Sequence, residues 1–206
     1  MSISREEMIE LDRNAIENYG IRSIVLMENA AMGVFNEVKD YNSFTIICGS
    51  GNNGGDGLAL GRHLLLNKKD VDIFIIEGRQ SNEFTENLEI LKKLTKNIYY
   101  INKKEDLDNL VNSLEINEIS IDCIFGTGLS RNISGIYKDV INCINQHSNY
   151  TIAIDIPSGL DANSGDILGI MVKSDETITI HDIKHGLLKN DFVGKIKEVY
   201  VGIPKI

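Results

Sequence analysis

Asn53, Asp122 and Ser158 fall at the ends of three separate apolar, β-branched runs. Together they offer an amide carbonyl, a carboxylate and a hydroxyl, with no thiol or imidazole among them. Such a set suits a hard cation rather than zinc, and its low charge suits a monovalent ion such as potassium. Asp122 would equally serve to cap a neighbouring turn. Asp155 ends the run Thr151-Ile152-Ala153-Ile154 and precedes Pro157 and Gly159. A carboxylate at a strand end, beside a rigid turn, is a candidate for acid–base work. Lys184 is its candidate cationic partner, and the flanking His181 and His185 read as surface or packing residues.

A second group of residues suits an anion. Gly126-Thr127-Gly128-Leu129-Ser130-Arg131 offers backbone N–H groups, two hydroxyls and a guanidinium, which together make a phosphate clamp. The same stretch also reads as a surface connection with Arg131 in solvent.

These residues need elements to position them, and the chain turns on the stretch from Phe44 to Gly57. A β-branched run leads into Gly49-Ser50-Gly51-Asn52-Asn53-Gly54-Gly55-Asp56-Gly57, in which five of nine residues are glycine. Apolar residues at helical spacing follow from Leu58. Strand, glycine loop and helix open a nucleotide-binding α/β unit, in which glycine permits positive φ or close approach and the helix N-terminus offers free N–H groups. The stretch fits G-x-G-x-x-G, with Glu77 closing the next apolar run. Asp56 and the paired Asn52-Asn53 argue against an ordinary dehydrogenase, because a carboxylate there opposes a pyrophosphate. The plain alternative is a tight turn with Asp56 as N-cap.

Elsewhere the pattern predicts helices over 4–18, with Ser4 and Glu7 forming a capping box, and over 21–39, 82–95, 104–114 and 135–147. Strands are expected over 71–76, 98–101, 119–125, 151–155, 177–180 and 196–201. The alternation implies a mostly parallel sheet. No repeat or linker marks a second domain, so residues 1–206 are expected to form one domain with an N-terminal helical extension.

The net charge of −9 disfavours a nucleic-acid partner. Cys48, Cys123 and Cys143 have no metal-ligand spacing, and the polar N-terminus is no signal peptide. No apolar stretch reaches membrane-spanning length, so a cytoplasmic protein is expected.

In order along the chain, several motifs resemble the NAD(P)H-hydrate epimerases, or YjeF N-terminal domain family. They are Leu26 to Ala31, Gly49 to Gly57, Asp122 to Ser130, Asp155 to Asp161, Thr177 to Thr179, Lys184 to Leu187 and Val201 to Pro204. The resemblance implies a Rossmann-like α/β/α sandwich, a homodimer, and interconversion of the R and S forms of hydrated NADH or NADPH at C6 of the nicotinamide ring. It implies a substrate loop of Asn52, Asn53, Gly54, Gly55 and Asp56, and a second of Gly126, Thr127, Gly128, Leu129, Ser130, Arg131 and Asn132. Asp155 would meet the reacting ring with Lys184 beside it, although Ile183 stands where the family often has Pro. Asn53, Asp122 and Ser158 would hold potassium. Because the chain stops soon after Pro204, the ADP- or ATP-dependent dehydratase that uses the S epimer is expected on a separate protein. The rival is a non-catalytic dimerisation scaffold of the same fold, against which the intact Asp56, Asp122, Asp155 and Ser158 speak.

Overall fold

In the computed structural model, which describes residues 2–204, the chain order is β1 (Ser2–Ile3), α1 (Arg5–Glu17), α2 (Ser23–Val38), β2 (Ser43–Cys48), α3 (Asn52–Leu66), β3 (Asp70–Ile76), α4 (Asn82–Leu91) and β4 (Ile98–Ile101). It continues through α5 (Leu107–Ile116), β5 (Ile119–Cys123), α6 (Ile136–His147), β6 (Thr151–Ile154), β7 (Glu176–Ile180), β8 (Ile183–Lys184) and β9 (Lys195–Val199).

Seven strands form one sheet in the order β4-β3-β2-β5-β6-β7-β9, and every pairing in it is parallel. The central strands are buried on both sides, so even their polar residues Thr45, Ser120 and Asp122 are enclosed. Ile46 and Cys48 of β2 face the layer built by α2, α3 and α4, whereas Ile47 faces α5 and α6. The result is a three-layer α/β/α sandwich. Chain order reverses between β2 and β5, and open sheets of this kind bind ligands outside the strand C-termini at that point.

Ser4 caps α1 as expected: its Oγ accepts from the Glu7 N–H at 3.1 Å, and the Glu7 carboxylate accepts the Ser4 N–H at 2.7 Å. Three expectations shift. The predicted helix over 104–114 opens as a 3-10 turn at Lys104–Asp106, and the helix over 82–95 stops at Leu91. Asp56 is not an N-cap; Gly51 is, and α3 starts at Asn52, so Gly54, Gly55 and Gly57 lie inside the helix. None of these glycines has a positive φ. Close approach is their physical reason: a Cβ on Gly54 would sit 1.8 Å from the Gly49 carbonyl oxygen.

β1 and β8 make a separate two-stranded parallel ladder, which the periodicity does not reveal because each is two residues long. β6 returns to β7 without a helix. That connection is anchored instead by a small cluster in which Ile156, Leu160 and Met171 meet Leu187 and Val193.

Candidate active site

The C-terminal ends of β2 and β5 open onto a cleft of about 850 Å³. Asp155 enters it directly after β6. Its φ is +70°, a left-handed backbone that costs a non-glycine residue about 1–3 kcal/mol and persists only when its surroundings enforce it. The enforcing contacts are visible. The Asp155 N–H donates to the Ile178 carbonyl at 2.9 Å, and Oδ2 accepts the Thr127 N–H at 3.1 Å. Oδ1 lies 2.5 Å from Lys184 Nζ. Gly126 makes room for this, since a Cβ there would stand 2.8 Å from Asp155 Oδ2.

Lys184 is 1% exposed, and its ammonium also donates to the Ile180 carbonyl at 2.6 Å and to Thr179 Oγ1 at 3.1 Å. An ammonium has three donors, and all three are used. The lysine is therefore a fixed clamp. The flanking histidines stay out of the cleft: His181 is buried with its ring centroid 5.3 Å from that of Tyr200, and His185 Nδ1 pairs with Ser2 Oγ at 2.9 Å.

The two expected substrate loops meet here, with exceptions. Asn52, Asn53 and Asp56 line the cleft, as do Gly126, Thr127, Gly128, Leu129, Ser130 and Arg131. Gly54 and Gly55 do not; they are buried in α3 against Gly49 and the Met27 side chain. Asn132 lies on the exposed surface beyond the cleft. Glu77 is exposed and does not line the cleft.

Asp56 is held half-buried, and desolvation, with Asp155 and Asp12 nearby, pushes its carboxyl well above the ordinary range. Asp12 on α1 lines the same cleft. Burial and the Asp155 charge raise it to about 6, against an opposing pull from Lys184. Asp12 was absent from the sequence-based site. Its signal was its place between Met8 and Ile16 on an apolar helical stripe, where a carboxylate does not belong unless something polar faces it. Arg79 and Tyr137 also line the cleft, from loop and helix positions that carry no motif.

Beneath the floor, Asp122 and Ser158 bond each other. Asp122 Oδ1 accepts from Ser158 Oγ at 2.6 Å and from the Ile124 N–H at 3.1 Å, and Oδ2 accepts from the Ser158 N–H at 2.8 Å. Ser158 Oγ accepts the Phe125 N–H at 2.8 Å. Asp122 is wholly buried and has no cationic partner among the described residues, and desolvation raises it to about 6 despite these bonds. Asn53 is 8% exposed, and neither of its amide atoms has a hydrogen-bond partner among the described residues. An orphaned buried amide is costly without a ligand.

The fold is that of the yeast protein ynu0, whose crystal structure superposes with a TM-score of 0.85 over 96% of this chain and 88% of that one, at 19% identity. The family follows from sequence: the profile described as YjeF-related protein N-terminus matches residues 23–186, and the chain belongs to that family. Among its relatives, the NAD(P)H-hydrate epimerase of Anaerococcus prevotii is 39% identical, covering 98% of this chain and 95% of its own length. That of Levilactobacillus brevis is 37% identical, covering 94% and 88%. The bifunctional NAD(P)H-hydrate repair enzyme Nnr of Thermofilum pendens is 36% identical over 87% of this chain, which spans 35% of that longer protein.

Proposed function

We propose that this protein is an NAD(P)H-hydrate epimerase, an isomerase that interconverts the R and S forms of hydrated NADH and NADPH at C6 of the nicotinamide ring. The observation that carries the reading is the clamped Asp155–Lys184 pair in a cleft at the sheet's switch point, in a chain whose full-length relatives bear that name.

The chemistry follows from the substrate. The C6 hydroxyl belongs to a carbinolamine, so the lone pair of ring N1 assists its departure and leaves an iminium-like cation. Water then adds from either face. Asp155 acts as acid–base group at the reacting carbon, and its carboxylate stabilises the developing cation. Lys184 holds that carboxylate in place. The loop of Thr127, Ser130 and Arg131, which lines the cleft, suits the phosphates of the nucleotide.

Potassium fits the residues at the floor. Asn53, Asp122 and Ser158 would hold it, the orphaned Asn53 amide being the sign of a missing partner. When bound, the cation offsets the buried charge of Asp122 and fixes the Asn53 side chain. A homodimer and a separate ADP- or ATP-dependent dehydratase complete the reading. Val25 and Met32, exposed two turns apart on α2, suit the dimer contact, and bifunctional relatives such as that of Moorella thermoacetica suit the pairing of functions. Three free cysteines suit a reducing cytoplasm, and among the described residues no helix is long and apolar enough to cross a membrane.

The test supplies the R hydrate of NADH to an S-specific dehydratase in potassium buffer. Faster recovery of NADH with this protein than without it, lost in Asp155→Asn, is the expected result. A rate equal to spontaneous epimerisation with the folded protein favours the scaffold reading.

A further inference from the structure

Inversion at a ring carbon requires proton traffic on both faces of the ring. The departing hydroxyl must gain a proton on one face, and the arriving water must lose one on the other. Asp155 can serve only one face. One oxygen is held by Lys184 and the other by the Thr127 N–H, and its backbone is locked at φ +70°. A carboxylate so fixed does not travel round a bound ring.

The cleft has a second acid on a different wall. α1 presents Met8, Asp12 and Ile16 to it at four-residue spacing, which is one face of the helix. This stripe offers apolar support for a flat ring on either side of a carboxyl group. α1 is itself held firmly. The Arg5 N–H donates to Asn163 Oδ1 at 2.8 Å, and the Arg5 guanidinium bonds the Leu129 carbonyl and lies 3.6 Å from Asp161. Asp12 has neither a hydrogen-bond nor an ion-pair partner among the described residues, so nothing in the fold consumes its oxygens.

We infer that Asp12 is a second acid–base catalytic residue, serving the face of the ring that Asp155 does not; this rests on the epimerase reading above. In one direction the Asp12 carboxyl gives its proton to the C6 hydroxyl. The C–O bond breaks with assistance from the N1 lone pair, and water departs. A water on the opposite face then forms the new C–O bond, the electron pair returns to N1, and the Asp155 carboxylate takes the released proton. The reverse reaction exchanges the two roles, and each turnover ends with one proton moved from Asp12 to Asp155, to be returned through water in the cleft. The charged groups facing Asp12 are Asp56 from α3, Asp155 from the end of β6 and Lys184 from β8. Three carboxyls share one ammonium, which favours retention of a proton near neutral pH. With Asp12 raised to about 6, both of its protonation states are accessible to catalysis there.

The experiment compares wild type, Asp12→Asn and Asp12→Glu in two assays on the resolved R and S hydrates of NADH. One measures inversion; the other measures exchange of the C6 oxygen with ¹⁸O-labelled water in the unreacted epimer. The inference expects inversion by Asp12→Asn to fall by about 10²–10⁴-fold, with KM changed less than threefold. It also expects exchange without inversion to persist in one of the two epimers, the one whose hydroxyl lies on the face that Asp155 serves, and Asp12→Glu to restore part of the inversion. Asp12→Asn with wild-type inversion, or with inversion and exchange lost in equal measure in both epimers, overturns it. If wild type itself fails to speed inversion, the epimerase reading fails instead. Should Asp12→Asn not fold, the same two rates are compared in Asp12→Ser, with the same criteria.

Discussion

Lys184 Nζ and Asp155 Oδ1 stand 2.5 Å apart, and the lysine is 1% exposed, so the contact is a buried ion pair rather than a surface one. Removing one partner of such a pair leaves an uncompensated charge. Lys184→Met, which keeps the length of the stem, should cost about 3–5 kcal/mol in urea unfolding. Adding Asp155→Asn to that variant should recover part of the loss, since the stranded carboxylate is then gone. Simple additivity in this double-mutant cycle would show that the two groups do not act as a pair.

Gly126→Ala tests how closely Asp155 is placed. The new Cβ would sit 2.8 Å from Asp155 Oδ2, so the carboxylate must shift or the loop must open. Turnover should fall by about 10²-fold, the cost of a misplacement near 1 Å. Unchanged kinetics would mean that the loop yields freely.

The fold was legible in the sequence wherever elements were long. β2, β3 and β5 are largely buried and rich in β-branched residues, and α1 carries its capping box. The site was half legible. Asp155, Asp56 and Thr127 sit in motifs where glycine and proline mark a strand end, so their convergence followed from the parallel sheet. Asp12 carried a local signal, a carboxylate between Met8 and Ile16 on an apolar stripe, but only the tertiary fold shows that α1 lines the cleft at the sheet's C-terminal edge. The start of α3 was misread for a related reason. Glycine usually signals a loop, but Gly54 and Gly57 are helical and small because Gly49 and the thiols of Cys48 and Cys123 press against them.

Asp12 also makes a prediction about stability. Its folded value of about 6 lies above the 3.8 of a free aspartate, so the folded state binds the proton more tightly. Its contribution is present below pH 4 and is lost as pH rises through about 6. Asp12→Asn should therefore melt higher than wild type at pH 7, and the gap should close on acidification to pH 4. Melting curves across that range check it; a gap independent of pH would contradict the shift.

Cation dependence has a direct readout in melting. Potassium chloride should raise the melting temperature of wild type above that in choline chloride at equal ionic strength. A tenfold excess over Kd corresponds to about 1.4 kcal/mol. Asn53→Ala removes an amide that makes no hydrogen bond among the described residues, so it should fold as wild type yet lose the potassium response. A response identical to wild type would rule Asn53 out as a ligand.

The ladder of β1 and β8 pairs Ile3 with Lys184 and Ser2 with Ile183. These partners are separated by nearly the whole chain, and parallel pairing at such separation forms slowly because loop closure comes before any reward. On a ribosome, the first strand must wait unpaired until its partner has been made. The sheet from β2 to β6 can assemble beforehand, so the lysine clamp on Asp155 belongs to the last stage of synthesis. A nascent chain cut short before β8 would carry most of the fold and none of the clamp.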